Sequence, residues 1–124
     1  IGSLTMKTSE LTGAALDWVV AKCEGVDAWV GFNHAMSGKC LYVSGPDDKE
    51  RYTPSTDWAQ GGPIIERERI RVEPFSGAWL ACIWNEDNGE YHLFYRCPTP
   101  LIAAMRCYVA SRLGDEIEIP EELK

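Results

Sequence analysis

The sequence predicts an α+β domain: a mostly antiparallel sheet of about four strands with two main helices packed on one face. Three stretches carry that expectation. Cys97 to Gly114 reads as a helix with both ends marked: Thr99 is placed to cap, Pro100 sits at the first helical position, and Gly114 supplies the stop. Ser9 to Glu24 repeats a helical pattern and ends at Gly25. Between them, Ala78–Trp84 and Glu90–Tyr95 are strand-like runs joined by Asn85-Glu86-Asp87-Asn88-Gly89, whose Asn-Gly favours a hairpin.

Taken in order, residues 1–5 are expected to be a short remnant foreign to the native chain, with Met6 as the native start, no leader following it, and a single domain over residues 6–124. A chain of 124 residues suffices for one core. In the first helix Leu16, Val19, Val20 and Cys23 form the main apolar face, while Trp18 and Leu11 project elsewhere, so Trp18 belongs either to the core or to a partner surface. Ala28–Phe32 and Lys39–Val43 are short strand candidates. Ser44 to Lys49, rich in Gly, Pro and Asp, is expected to be the least ordered internal stretch. In Tyr52–Ile70 a short helix is expected to start at Pro63, after two glycines, and to lead into a strand near Ile70.

At about 100° per residue, the helix from Pro100 places Leu101, Ile102, Met105, Val109 and Leu113 on one arc, with alanines and Cys107 over most of the rest. Such a helix is buried. Arg106 at its middle therefore needs a partner, either a carboxylate or several carbonyls, because an uncompensated buried cation is costly. The expectation is that the acidic segment from Asp57 to Glu68 folds over it. This can be a structural strut. Alternatively it is a ligand pocket in which Arg106 holds an anionic group, Asp57, Glu66 or Glu68 serves as acid or base, and Trp58 or Tyr52 stacks on a ring. Past Gly114, Ile117 and Ile119 can add a short edge strand before Pro120 stops it.

Composition narrows the function classes. Nineteen acidic against twelve basic residues give a formal charge of −7, and the Lys and Arg are scattered, so a phosphate-neutralising face for duplex nucleic acid is not expected. Five cysteines without a Cys-x-x-Cys pair, and only two histidines, read as reduced core thiols rather than as a metal site; no cofactor is expected. No run of about eighteen apolar residues is present, which with the missing leader points to a cytoplasmic protein. The aromatic strands offer Trp79, Trp84, Tyr91 and Tyr95, with Trp18, as a candidate surface for a protein partner or for a two-fold dimer.

Two blocks together, SELTGAALDWVVAKCEG and YTPSTDWAQGGPIIERERI followed by CPTPLIAAMRCYVASRLGDEIEIPEEL, resemble the small NinX-like proteins of lambdoid phages and prophages. The resemblance covers most of Met6 to Leu123. It implies a phage or prophage accessory product acting in a bacterial cytoplasm. It carries no established activity and so transfers no catalytic residue. The function expected is a non-enzymatic binding module for a host or phage protein, with the ligand pocket or enzyme as the alternative.

Overall fold

A computed structural model describes residues 2–33, 38–45 and 49–123. Eight strands and three α-helices follow in the order β1 (Ser3–Lys7), α1 (Gly13–Glu24), β2 (Trp29–Asn33), β3 (Gly38–Ser44), β4 (Lys49–Arg51), α2 (Trp58–Glu68), β5 (Arg71–Phe75), β6 (Ala78–Asn85), β7 (Glu90–Cys97), α3 (Pro100–Leu113) and β8 (Glu116–Pro120). Short 3-10 turns lie at Thr8–Glu10 and Glu121–Leu123.

The α+β class and the antiparallel pairing are as expected, but the strands divide among three small sheets instead of gathering into one of about four. The chain's ends form a ribbon, β1–β8, with Leu4 opposite Ile119 and Met6 opposite Ile117. β2–β3–β4 and β5–β6–β7 are three-stranded meanders. The reason lies in α3. Residues Leu101–Met105 and Cys107–Ala110 are all buried, so no single sheet can cover this helix. It packs on β5, β6 and β7, while α1 and α2 cover it from other sides. α1 in turn rests on β3 and β8 rather than sharing the β5–β7 face with α3.

Local signals explain the element ends. Thr99 Oγ1 accepts from the Ile102 N–H at 3.1 Å, and Pro100 opens α3 as its position predicts. Gly25 closes α1 with φ 69°. The first helix starts later than the sequence suggests: Thr8–Glu10 forms a 3-10 turn and α1 begins at Gly13.

The larger correction concerns α2, which starts at Trp58 and not at Pro63. Asp57 is the cap, its Oδ1 accepting from the Ala59 N–H at 3.0 Å. Pro63 lies inside the helix, where its ring forfeits the bond residue 63 would give to the Ala59 carbonyl. The glycines before it have a packing role. A Cβ on Gly61 would collide with the Pro54 carbonyl and stand 2.6 Å from Leu101 Cδ2, so the glycine lets α2 settle on the Pro54 turn and α3.

The expected strand near Ile70 is β5, one residue later, and the tail forms β8 with Ile117 and Ile119 buried. β4 was not signalled by the sequence pattern. Ser76 and Gly77, both at positive φ, make the two-residue turn between β5 and β6. Of the loop expected to be least ordered, residues 46–48 lie outside the described set.

Candidate functional site

Two places concentrate chemistry-bearing residues: the meeting point of the helix ends, and the outer face of β5–β6–β7.

The C-terminal ends of α1, α2 and α3 converge. Glu24 ends α1, Arg67 and Glu68 end α2, and Tyr108 and Arg112 lie in the last turns of α3. Arg67 forks onto Glu24, with Nη1 donating to Oε1 at 2.9 Å and Nη2 to Oε2 at 2.5 Å, and gives Nε to Glu68 Oε2 at 2.7 Å. Arg112 Nη2 reaches Glu68 Oε1 at 3.0 Å. The buried Tyr108 donates its hydroxyl to Glu24 Oε2 and carries both guanidinium carbons over its ring, at 5.9 Å for Arg67 and 5.2 Å for Arg112.

Three helix C-termini present partial negative charge, and Glu24 and Glu68 add more, so the two arginines offset both. The titration shifts follow. The hydrogen bonds from Arg67 hold Glu24 below the usual carboxylate range. Burial acts to raise Glu68, but the Arg67 and Arg112 bonds outweigh it and keep this carboxyl low as well. Burial, followed by the Glu24 contact, pushes the Tyr108 phenol up.

Beside this cluster opens a cleft of about 340 Å³ lined by Glu24, Val26, Val43, Glu50, Tyr52, Gln60, Pro63, Ile64 and Arg67. Glu24, Gln60 and Arg67 are engaged with protein. Gln60 Oε1 accepts from the Thr53 N–H at 2.6 Å and its Nε2 donates to the Arg51 carbonyl at 2.8 Å. Arg67 spends Nε and both Nη groups on Glu24, Glu68 and Tyr108. Burial raises the Tyr52 phenol, keeping it protonated. A ligand that used Arg67 or Gln60 would have to break these bonds before making its own.

Arg106 stands apart from that cluster, and the acidic segment does not fold over it. Its Nε donates to the Leu11 carbonyl at 2.7 Å and its Nη1 contacts Cys97 Sγ at 3.7 Å; among the described residues it makes no ion pair. A backbone carbonyl just after the 3-10 turn supplies what a carboxylate was expected to supply. Asp57 is occupied as a helix cap, Glu66 is exposed, and Glu68 belongs to Arg67 and Arg112. Trp58 is exposed on α2. Of the proposed ligand set, only Tyr52 lines the cleft.

Two residues escaped the sequence reading. Asp17 on α1 is 4% exposed; its Oδ1 accepts from the Ser55 N–H at 2.8 Å, and burial lifts its carboxyl to about 6 against the opposing pull of Ser55 and Arg51. The signal was an acid between Leu16 and Val20 on an apolar stripe. Tyr108 was hidden by its apolar neighbours; its i,i+4 spacing to Arg112 was the available cue.

On the outer face of β5–β6–β7, Trp84 lies opposite Tyr91 and Cys82 opposite Leu93. The inner positions Ala81 and Ile83 belong to the core beneath, and Phe94 packs against it. Phe75, Trp84, Tyr91 and Leu93 are exposed by 40, 49, 58 and 52%. The Trp84 and Tyr91 rings meet edge to face, centroids 4.9 Å apart. Of the other expected surface aromatics, Trp79 and Trp18 are partly buried against the core, and Trp18 lies under the Lys22 ammonium at 4.5 Å. Tyr95 belongs to β7, its side chain outside the described set.

A family profile described as Bacteriophage P22, NinX matches residues 7–112. The chain belongs to that NinX family. The matched span runs from the end of β1 into α3 and contains both places: Glu24, Arg67, Glu68, Tyr108 and Arg112 at the helix ends, and the whole of β5–β6–β7. β8 lies beyond it. Comparison with curated proteins finds no match. No helix among the described residues is long and apolar enough to cross a membrane.

Proposed function

We propose that this NinX-family protein is a non-enzymatic binding module of a phage or prophage, engaging a host or phage protein in the bacterial cytoplasm through the outer face of β5–β6–β7. The observation that carries this reading is the group of Trp84, Tyr91 and Leu93, with Phe75 at the far end of the same face: four large apolar side chains left exposed on one face of a sheet whose other face is core. Large rings already held edge to face lose little further freedom on binding and are common anchors of interfaces. The cleft supports an enzyme less well, since its arginine, tyrosine and glutamine groups are held by protein partners or kept protonated.

A photo-cross-linking residue placed at Leu93 tests this reading in phage-infected cells. A discrete protein adduct is expected, lost when Trp84→Ser is added and absent when the cross-linker sits at the exposed Glu66 on α2. No adduct at Leu93, or the same adducts from both sites, would overturn it.

A further inference from the structure

Resting on the docking face just proposed, we infer that its occupant is a basic protein segment: an apolar anchor seated at Trp84 and Tyr91, flanked by Lys or Arg that meet the acidic tip of the β6–β7 hairpin. The aromatic pair sits at the end of the sheet where the hairpin turns. That turn carries Glu86 and Asp87, and Glu90 opens β7 beside it; all three are exposed, and none of them makes an ion pair among the described residues. Its shape is held from within: the Asp87 N–H donates to Asn85 Oδ1 at 2.9 Å, the Glu90 N–H to Asn88 Oδ1 at 3.0 Å, and the Gly89 N–H to the Asn85 carbonyl at 2.9 Å. Glu86 and Asp87 are therefore presented on a defined turn next to the rings, while Glu90, paired with Asn85, adds its charge from the other face of the same tip.

Farther along the same face the charges cancel, Arg71 meeting Glu73 at 3.5 Å. A partner that buries the rings must bring its rim against that negative tip, and a cationic rim is the one such burial favours. The same geometry argues against a second copy of this chain. A two-fold axis through the ring pair would bring two uncompensated tips together, on molecules that each carry −7 overall.

Selection of a displayed library of random short peptides on the immobilised chain, followed by fluorescence anisotropy with the recovered peptides, tests the inference. The recovered sequences should pair an aromatic or aliphatic residue with nearby Lys or Arg. Their binding should weaken ~10-fold or more in the Glu86→Gln, Asp87→Asn, Glu90→Gln variant, and fall in the unmodified chain as salt rises from ~0.05 to ~0.5 M. Trp84→Ser should abolish it, and amide shift mapping on the unmodified chain should place the peptide on β6 and β7 without reliance on any variant.

Binders lacking basic residues, or affinity unchanged by neutralising the tip while Trp84→Ser abolishes it, would overturn the basic partner and leave the docking face standing. Peptides that ignore both variants, or a selection yielding no binder, would overturn the two together. Concentration-dependent dimerisation lost with Trp84→Ser would give the face to a second copy instead.

Discussion

Tyr108 shows how much one hydroxyl can hold when helix ends of like polarity meet. Its ring is sealed in the core while its oxygen reaches Glu24, and through Glu24 it is tied to Arg67. Removing the oxygen alone keeps the packing and deletes a bond to a charged acceptor, a class worth about 1.5–3 kcal/mol. Tyr108→Phe is accordingly expected to lower unfolding free energy by about 1–2 kcal/mol in urea titration with an unchanged slope; no loss would mean that Glu24 finds equivalent support elsewhere. Arg106 teaches the complementary lesson. Its need for a partner was visible from an apolar helix with one cation at its centre, but the partner is the Leu11 carbonyl, and a backbone oxygen brought from 95 positions away leaves no mark in residue types.

Among the elements, α3 was the most legible. Thr99, Pro100 and Gly114 act through local backbone chemistry, and each does what its residue type does anywhere. α2 was the least legible, because its cap at Asp57 had to compete with a proline that looks like a start signal. What decides the matter is tertiary: Gly61 presses its backbone on Pro54 and Leu101, and that contact requires the helix to be formed before Pro63 is reached. Gly61→Ala is expected to destabilise the fold by about 1–3 kcal/mol even though alanine is the better helix former, because the obstructing atom is a backbone carbonyl that cannot swing aside. A thermal midpoint equal to or above the parent would contradict this packing. The partition of strands into three sheets was likewise invisible to period counting. Alternation locates strands, and only the all-round burial of α3 dictates that they surround it from several sides.

For the whole molecule, acidity and stability are linked through Asp17. Its carboxyl titrates near 6 when folded, against 3.8 for the group in its ordinary state, so the folded chain binds this proton more tightly than the unfolded chain does. The contribution to stability is fully present below about pH 4 and is lost as pH rises through 6, amounting to roughly 3 kcal/mol at most at about 1.4 kcal/mol per pH unit. Glu24 and Glu68 run the other way, stabilising above their unfolded values and losing that support in acid. The difference in unfolding free energy between parent and Asp17→Asn, followed by urea titration at several pH values, isolates the first effect. The variant should gain on the parent between pH 4 and 6 and hold a constant offset above. A difference that does not change with pH would show that Asp17 ionises in the folded chain as it does in the unfolded one.

The ribbon that joins the chain's ends has one more consequence. With Ser3 opposite Pro120, and the Glu121 N–H bonded to the Gly2 carbonyl at 3.0 Å, the chain enters β1 and leaves β8 side by side. A tag, a surface tether or a fused second protein attached at either end departs from one pole of the molecule.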